Sequence, residues 1–168
     1  MSKFSRKEAF IENIFTPLTH NPENILEVNE MKKYFPIKDG VLQRTVGHVK
    51  AVDGISFNIK RGTTMGLVGE SGCGKTTVGR TVLRLNDISG GEVLFDGVNV
   101  HKLPTNELRK LRPQMQIIFQ DPYSSLSPRL PIDEIIGEAV REHRIVPKPE
   151  YNDYVDKIME ACGLQPYH

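Results

Sequence analysis

Tryptophan is absent from this 168-residue chain, and cysteine occurs only as Cys73 and Cys162. Two such cysteines make neither a disulfide framework nor a zinc-binding spacing, and none of the five histidines falls in a metal-ligand pattern. Long apolar runs are missing too. Pieces such as Met65-Gly66-Leu67-Val68 and Ile117-Ile118-Phe119 fall far short of the roughly 18 residues a membrane-spanning helix needs. Lys3, Arg6, Lys7, Glu8 and Glu12 interrupt the N-terminus, so no apolar signal core stands there. Nor is there an excess of one charge: 22 Lys and Arg face 21 Asp and Glu, a net +1. That balance argues against a nucleic-acid partner held by non-specific phosphate attraction. Hydrophobic residues at 38% and charged residues at 26% exclude collagen-like, low-complexity and strongly disordered chains. What remains is a soluble, intracellular chain, sized for one domain or slightly less than one large α/β domain.

Charge and pattern change together along the chain. Residues 1–130 hold 18 basic and 13 acidic groups, whereas 131–168 hold 4 and 8. This places a boundary near Pro128-Arg129-Leu130-Pro131. Residues 1–24 read as a polar N-terminal extension. A strand begins at Ile25-Leu26-Glu27-Val28 and runs toward Tyr34-Phe35, with Pro36 and Lys38-Asp39-Gly40 as a loop. Ile55, Phe57 and Ile59 alternate with Ser56, Asn58 and Lys60, a half-buried strand. Thr64-Met65-Gly66-Leu67-Val68 is apolar on both faces, as in a parallel strand covered by helices on each side. Val78, Val82 and Leu85 mark the buried face of a helix. Glu92 to Val98 reads as a hairpin with an Asp96-Gly97 turn. Leu108 and Leu111 mark a short helix, followed by a strand over 115–119. Ile132, Ile135, Ile136, Ala139 and Val140 form a helical face opened by Pro131. A second helix carries Tyr151, Tyr154, Val155, Ile158, Met159 and Cys162 on one side, with Gly163 as its stop.

The strongest chemical signal is Gly69-Glu70-Ser71-Gly72-Cys73-Gly74-Lys75-Thr76-Thr77, which fits G-x-x-x-x-G-K-[ST]. At ordinary residue frequencies such a match arises by chance in roughly one chain of this length in two hundred. The glycines permit positive φ and let backbone wrap closely around a phosphate. Amide N–H groups and the N-terminus of the following helix then face the β-phosphate. Lys75 supplies a compact charge for the β and γ oxygens, Thr76 a hydroxyl for Mg²⁺, and Thr77 stands near the α-phosphate. Cys73, beside a helix N-terminus and Lys75, sits in the setting of a reactive thiol.

Four segments occur in the order seen in the ATP-binding subunits of ABC transporters. They are Ala51-Val52-Asp53-Gly54-Ile55-Ser56-Phe57, the loop 69–77, Gly91-Glu92-Val93-Leu94-Phe95-Asp96-Gly97, and Gln116-Ile117-Ile118-Phe119-Gln120-Asp121-Pro122. The wording from Phe119 through Pro122-Tyr123-Ser124-Ser125-Leu126-Ser127-Pro128 to Arg129, together with a long loop over 34–52, resembles the oligopeptide and dipeptide importer branch. The resemblance covers residues 25–168. It implies a P-loop NTPase of the ABC type, an α/β fold with an antiparallel β subdomain. Residues 25–130 would be the nucleotide-binding core and 131–168 the first part of a helical subdomain.

The same resemblance implies ATP and Mg²⁺ as ligands, with Gly69 to Thr77 as the cradle and Tyr34 as the aromatic stacked on adenine, Phe35 being the neighbouring alternative. Lys75 and Gln120 would act in catalysis, with Gln120 joining Thr76 at the metal. Implied partners are membrane-spanning permease subunits, a second ATP-binding subunit and, indirectly, an external peptide-binding protein. The place implied is the cytoplasmic side of the membrane, peripherally. The Leu-Ser-Gly-Gly-Gln-type stretch and later acidic pair of such subunits do not occur here. Ser89-Gly90-Gly91-Glu92 only imitates the first, and Asp96 is explained by its turn. The expectation is a front part of a larger protein, without ATP turnover alone. A soluble P-loop kinase using Asp121 at the metal, or an inactive fragment, are the competing readings.

Overall fold

The computed structural model describes residues 21–40, 43–121 and 125–165. They divide into two compact units, Met1–Leu108 and Arg109–His168, each treated by itself.

The first unit is built on an antiparallel sheet of β1 (Asn24–Asp39), β2 (Arg44–Lys60), β3 (Gly90–Phe95) and β4 (Val98–Asn99), in the order β2-β1-β3-β4. The alternation of Ile55, Phe57 and Ile59 falls on β2 as expected, opposite Met31, Val28 and Leu26 of β1. Asp96 and Gly97, both at positive φ (49° and 75°), make the tight turn between β3 and β4. Arg61 pairs with the Asp96 carboxylate, so this acidic residue is tied to the hairpin turn.

Apolar residues of the first three strands meet Val100, just after β4, in the core. Val28, Met31, Val93, Leu94 and Val100 have no exposed surface. Burying each such side chain stabilises the fold by about 1.5–3 kcal/mol. Helix α1 (Lys75–Val82) contributes Val78 and Thr81 to the buried set. It stops before Leu85, which the heptad-like spacing had placed on its buried face. Arg84 turns left-handed (φ 50°), its guanidinium donates to the carbonyls of Val100 (2.9 Å) and Leu103 (2.5 Å), and Leu85 is left exposed. Those two bonds offset part of the cost of the left-handed turn.

Two further expectations are corrected. The segment from Pro36 to Asp39 is not loop: β1 continues through Pro36, opposite His48, to Asp39. Beyond Lys32 the pairing with β3 has ended, so β1 and β2 continue as a two-stranded ribbon. A proline tolerates this position because one edge of the ribbon needs no N–H. The apolar run 64–68 is not a strand, and Val68 is 94% exposed. A strand is defined by its ladder, and among the described residues no segment pairs with this one.

The second unit starts within α2 (Thr105–Leu111), the short helix expected around Leu108 and Leu111, and a 3₁₀ turn at Arg112–Gln114 follows. The strand expected over 115–119 is likewise not formed, residues 116–119 having no ladder among the described residues, and Ile118 is 98% exposed. Helices α3 (Ile132–Glu142) and α4 (Tyr151–Ala161) bury Val140, Val155 and Met159. They meet closely enough that a Cβ on Gly137 would stand 1.8 Å from Tyr151 Oη, which accepts a bond from Arg141 Nη2 at 3.0 Å. Pro131 is the N-cap of α3, and Gly163 (φ 77°) follows the end of α4. Cys162, the C-cap of α4, lies exposed at the helix end.

Candidate nucleotide-binding site

The glycine-rich segment 69–74 runs directly into α1. Gly72 (φ 83°) and Gly74 (φ 100°) both take backbone conformations that L side chains avoid. Gly74 is also confined by space: a Cβ there would lie 2.5 Å from the carbonyl oxygen of Ala51 and 3.8 Å from Val52 Cγ2. A Cβ on Gly69 would lie 2.7 Å from Cys73 Sγ. The loop is therefore seated directly on β2 and folded tightly on itself.

Lys75 is the first residue of α1, and its ammonium turns back into this loop. Nζ donates to the carbonyls of Gly69 (2.7 Å) and Glu70 (2.6 Å) and lies 3.6 Å from Cys73 Sγ. The cation thus sits over the loop at the start of α1, and a helix N-terminus beside a cation is an arrangement suited to an anion. Thr76 is exposed and Thr77 half-buried on the first turn. The Thr76 hydroxyl is an oxygen donor of the kind Mg²⁺ takes alongside phosphate.

Tyr34 lies on β1 opposite Lys50, next to the Lys33–Val52 pair. Its hydroxyl donates to the Asp53 carboxylate, and Lys50 Nζ stands 5.4 Å from the ring centroid and 3.2 Å from Asp53 Oδ2. The bond to Asp53 raises the Tyr34 hydroxyl's pKa, and the Tyr34 and Lys50 donors hold the Asp53 carboxyl below its usual range. Ser89 Oγ accepts the Tyr34 amide at 2.9 Å. Phe35, the alternative aromatic, has Lys33 Nζ 4.8 Å from its ring centroid.

The structure brings Gly69 to Thr77 together in the first unit, with Tyr34 on β1 beside the strand that seats the loop. Gln120 and Asp121 are exposed residues of the second unit. Ser125 Oγ donates to the Asp121 carbonyl at 2.8 Å. Pro122, Tyr123 and Ser124 of the quoted motif, and the N-terminal extension up to residue 20, lie outside the described residues. Sequence reasoning missed Lys50 and Asp53 as neighbours of Tyr34. Three residues apart, they would face opposite ways on a regular strand, and the irregularity that reunites them has no composition signal.

The family model described as ABC transporter matches residues 52–168. The oligopeptide transport ATP-binding protein AppF of Bacillus subtilis (strain 168) is 48% identical over 147 residues, covering 87% of this chain and 45% of that protein. OppF of the same organism, also named as an oligopeptide transport ATP-binding protein, is 43% identical over 148 residues, with 87% and 46% covered. The chain thus spans less than half the length of these curated relatives. Among solved structures, the ATP-binding cassette MJ0796, dimeric and bound to ADP and Pi, superposes with TM-score 0.65 at 21% identity over 84% of this chain and 59% of that one. The cbiO1 protein of Clostridium perfringens, part of an ABC transporter complex, gives TM-score 0.60 at 27% identity, covering 84% and 51%. The solved cassettes share the fold, and the family model covers residues 52–168, well over half of the chain and all four ordered segments from Val52 onward: this chain belongs to the ABC transporter family.

Proposed function

We propose that the protein carrying this sequence is the ATP-binding subunit of a peptide importer, binding and hydrolysing ATP to drive uptake. The observation that carries the reading is the Lys75 ammonium held over the 69–74 loop at the start of α1. On binding, β- and γ-phosphate oxygens take over from the Gly69 and Glu70 carbonyls as acceptors for Nζ. Each such charge-assisted bond is worth about 1.5–3 kcal/mol. The amides at the start of α1 hold the β-phosphate, and Thr76 presents its hydroxyl to the metal. Mg²⁺ in such sites neutralises charge developing on the transferred phosphoryl group. The adenine stacks on the Tyr34 ring. Gln120, an exposed residue of the second unit, is the glutamine proposed to act in hydrolysis. The names of the relatives support oligopeptides as the cargo. The solved MJ0796 dimer supports a second ATP-binding subunit as partner. Uptake would further require membrane-spanning permease subunits, with this subunit at their cytoplasmic face.

The test is uptake. In cells whose genomic copy carries Lys75→Ala, entry of a labelled oligopeptide should fall to the level of a deletion strain, with free amino-acid entry unchanged. Undiminished oligopeptide entry would refute the reading.

A further inference from the structure

The base-stacking role of Tyr34 asks for a ring held at a fixed angle, and the structure contains a device that holds it. In the β1–β2 ladder Lys33 pairs with Val52 and Tyr34 with Lys50, so Ala51 is an extra residue on β2 between two adjacent pairs. Such a bulge changes which side chains share a face. Lys50 and Asp53, three residues apart, are thereby brought onto one face, where both reach Tyr34. Asp53 stands opposite Lys32 and diagonally from Tyr34, within reach of a long side chain. Lys32, Lys50 and Tyr34 all act on its carboxylate. The Tyr34 backbone is fixed separately, its amide donating to Ser89 Oγ at 2.9 Å. The same bulged residue aims its carbonyl at Gly74, 2.5 Å from where a Cβ would stand. One irregularity in β2 therefore serves the aromatic on one side and the phosphate loop on the other.

We infer that Asp53, assisted by Lys50, is a positioning residue for nucleobase recognition: it orients the Tyr34 ring through the hydroxyl and leaves the phosphate cradle to bind independently. The inference rests on the reading of Tyr34 as the base-stacking residue. Asp53 does not touch the nucleotide. Its removal should lower affinity only for ligands that carry a base.

The test compares ATP with inorganic tripolyphosphate, which has the phosphates and no base, by calorimetric titration of the full chain. Asp53→Ala and Tyr34→Phe should each weaken ATP binding about three- to tenfold, the range for loss of one hydrogen bond, with tripolyphosphate binding unchanged. Asp53→Asn, which keeps an acceptor for the Tyr34 hydroxyl, should recover most of the loss. Tyr34→Ala should remove the preference for ATP over tripolyphosphate altogether. If Tyr34→Ala removes that preference while Asp53→Ala and Tyr34→Phe leave it intact, the positioning role is wrong and the stacking reading stands. If Tyr34→Ala also leaves it intact, the stacking reading itself fails. Equal weakening of both ligands by Asp53→Ala, or no recovery in Asp53→Asn, would mark a general structural role and overturn the inference.

Discussion

The carbonyl oxygen of Ala51 lies 2.5 Å from the position a Cβ would take on Gly74. This contact seats the phosphate loop on β2, and it makes Gly74 irreplaceable for two independent reasons, space and a φ of 100°. Gly72 shares only the second: it has φ 83°, but nothing lies within 4 Å of its Cβ position. Gly72→Ala should therefore cost roughly 1–2 kcal/mol of stability from left-handed backbone alone. Gly74→Ala should cost about 1–3 kcal/mol more, from the forced shift of packed backbone. Urea unfolding of the two variants checks this, and equal midpoints would contradict the account of the contact.

Cys73 should react with a thiol reagent faster than Cys162. Both are exposed, so access does not separate them, but Cys73 has the Lys75 ammonium 3.6 Å from its sulfur and a helix N-terminus beside it. Bound ATP should protect Cys73 and not Cys162. Mass spectrometry of partially labelled protein reads both sites at once, and labelling of Cys73 indifferent to ATP would count against its place in the cradle.

His101 should make the first unit less stable in mild acid. Burial lowers its pKa below the ordinary value of 6.5, more than its bond to the Thr81 carbonyl at 2.9 Å raises it. The unfolded chain then binds the proton more readily than the folded one, so stability from this group is complete above about pH 6.5 and falls as pH drops through the lowered folded value. Unfolding midpoints between pH 7.5 and 5.5 should decline in the unmodified chain and decline less in His101→Gln. An identical slope in both would exclude His101 as the cause.

Val68 and Ile118 should govern self-association of this chain. They are 94% and 98% exposed, in apolar segments that make no ladder among the described residues. Unpaired apolar backbone of this kind templates pairing with other chains. Val68→Lys and Ile118→Lys should each change stability by no more than about 0.5 kcal/mol while raising the concentration at which light scattering detects aggregates. A large loss of stability in either would show the side chain to be packed.

Those two segments also mark where sequence reading and structure part. The tight turn at Asp96-Gly97 and the alternation Ile55, Phe57, Ile59 were legible because turn chemistry and a period of two are local properties. The helical faces at 132–140 and 151–159 were legible for the same reason, with a period of 3.6. Whether 64–68 and 116–119 are strands depends on a ladder partner, which no local pattern supplies. Pro36 looked like the end of a strand, since the free edge that accommodates it is a property of the sheet and not of the residue. In the site, the loop 69–77 was legible residue by residue, whereas Asp53 was not. Its approach to Tyr34 depends on one extra residue at Ala51, and a bulge leaves no mark in composition.

The nucleotide site proposed for the 69–77 loop is organised around the Lys75 cation. Calorimetric titration of Mg·ATP into the full chain and into Lys75→Ala measures that role. Loss of charge-assisted bonds worth about 1.5–3 kcal/mol should weaken binding by roughly 10- to 150-fold, with the unfolding midpoint unchanged, since Nζ bonds exposed groups of its own loop, the Gly69 and Glu70 carbonyls and Cys73 Sγ. Equal affinity for Mg·ATP in the two proteins would contradict it.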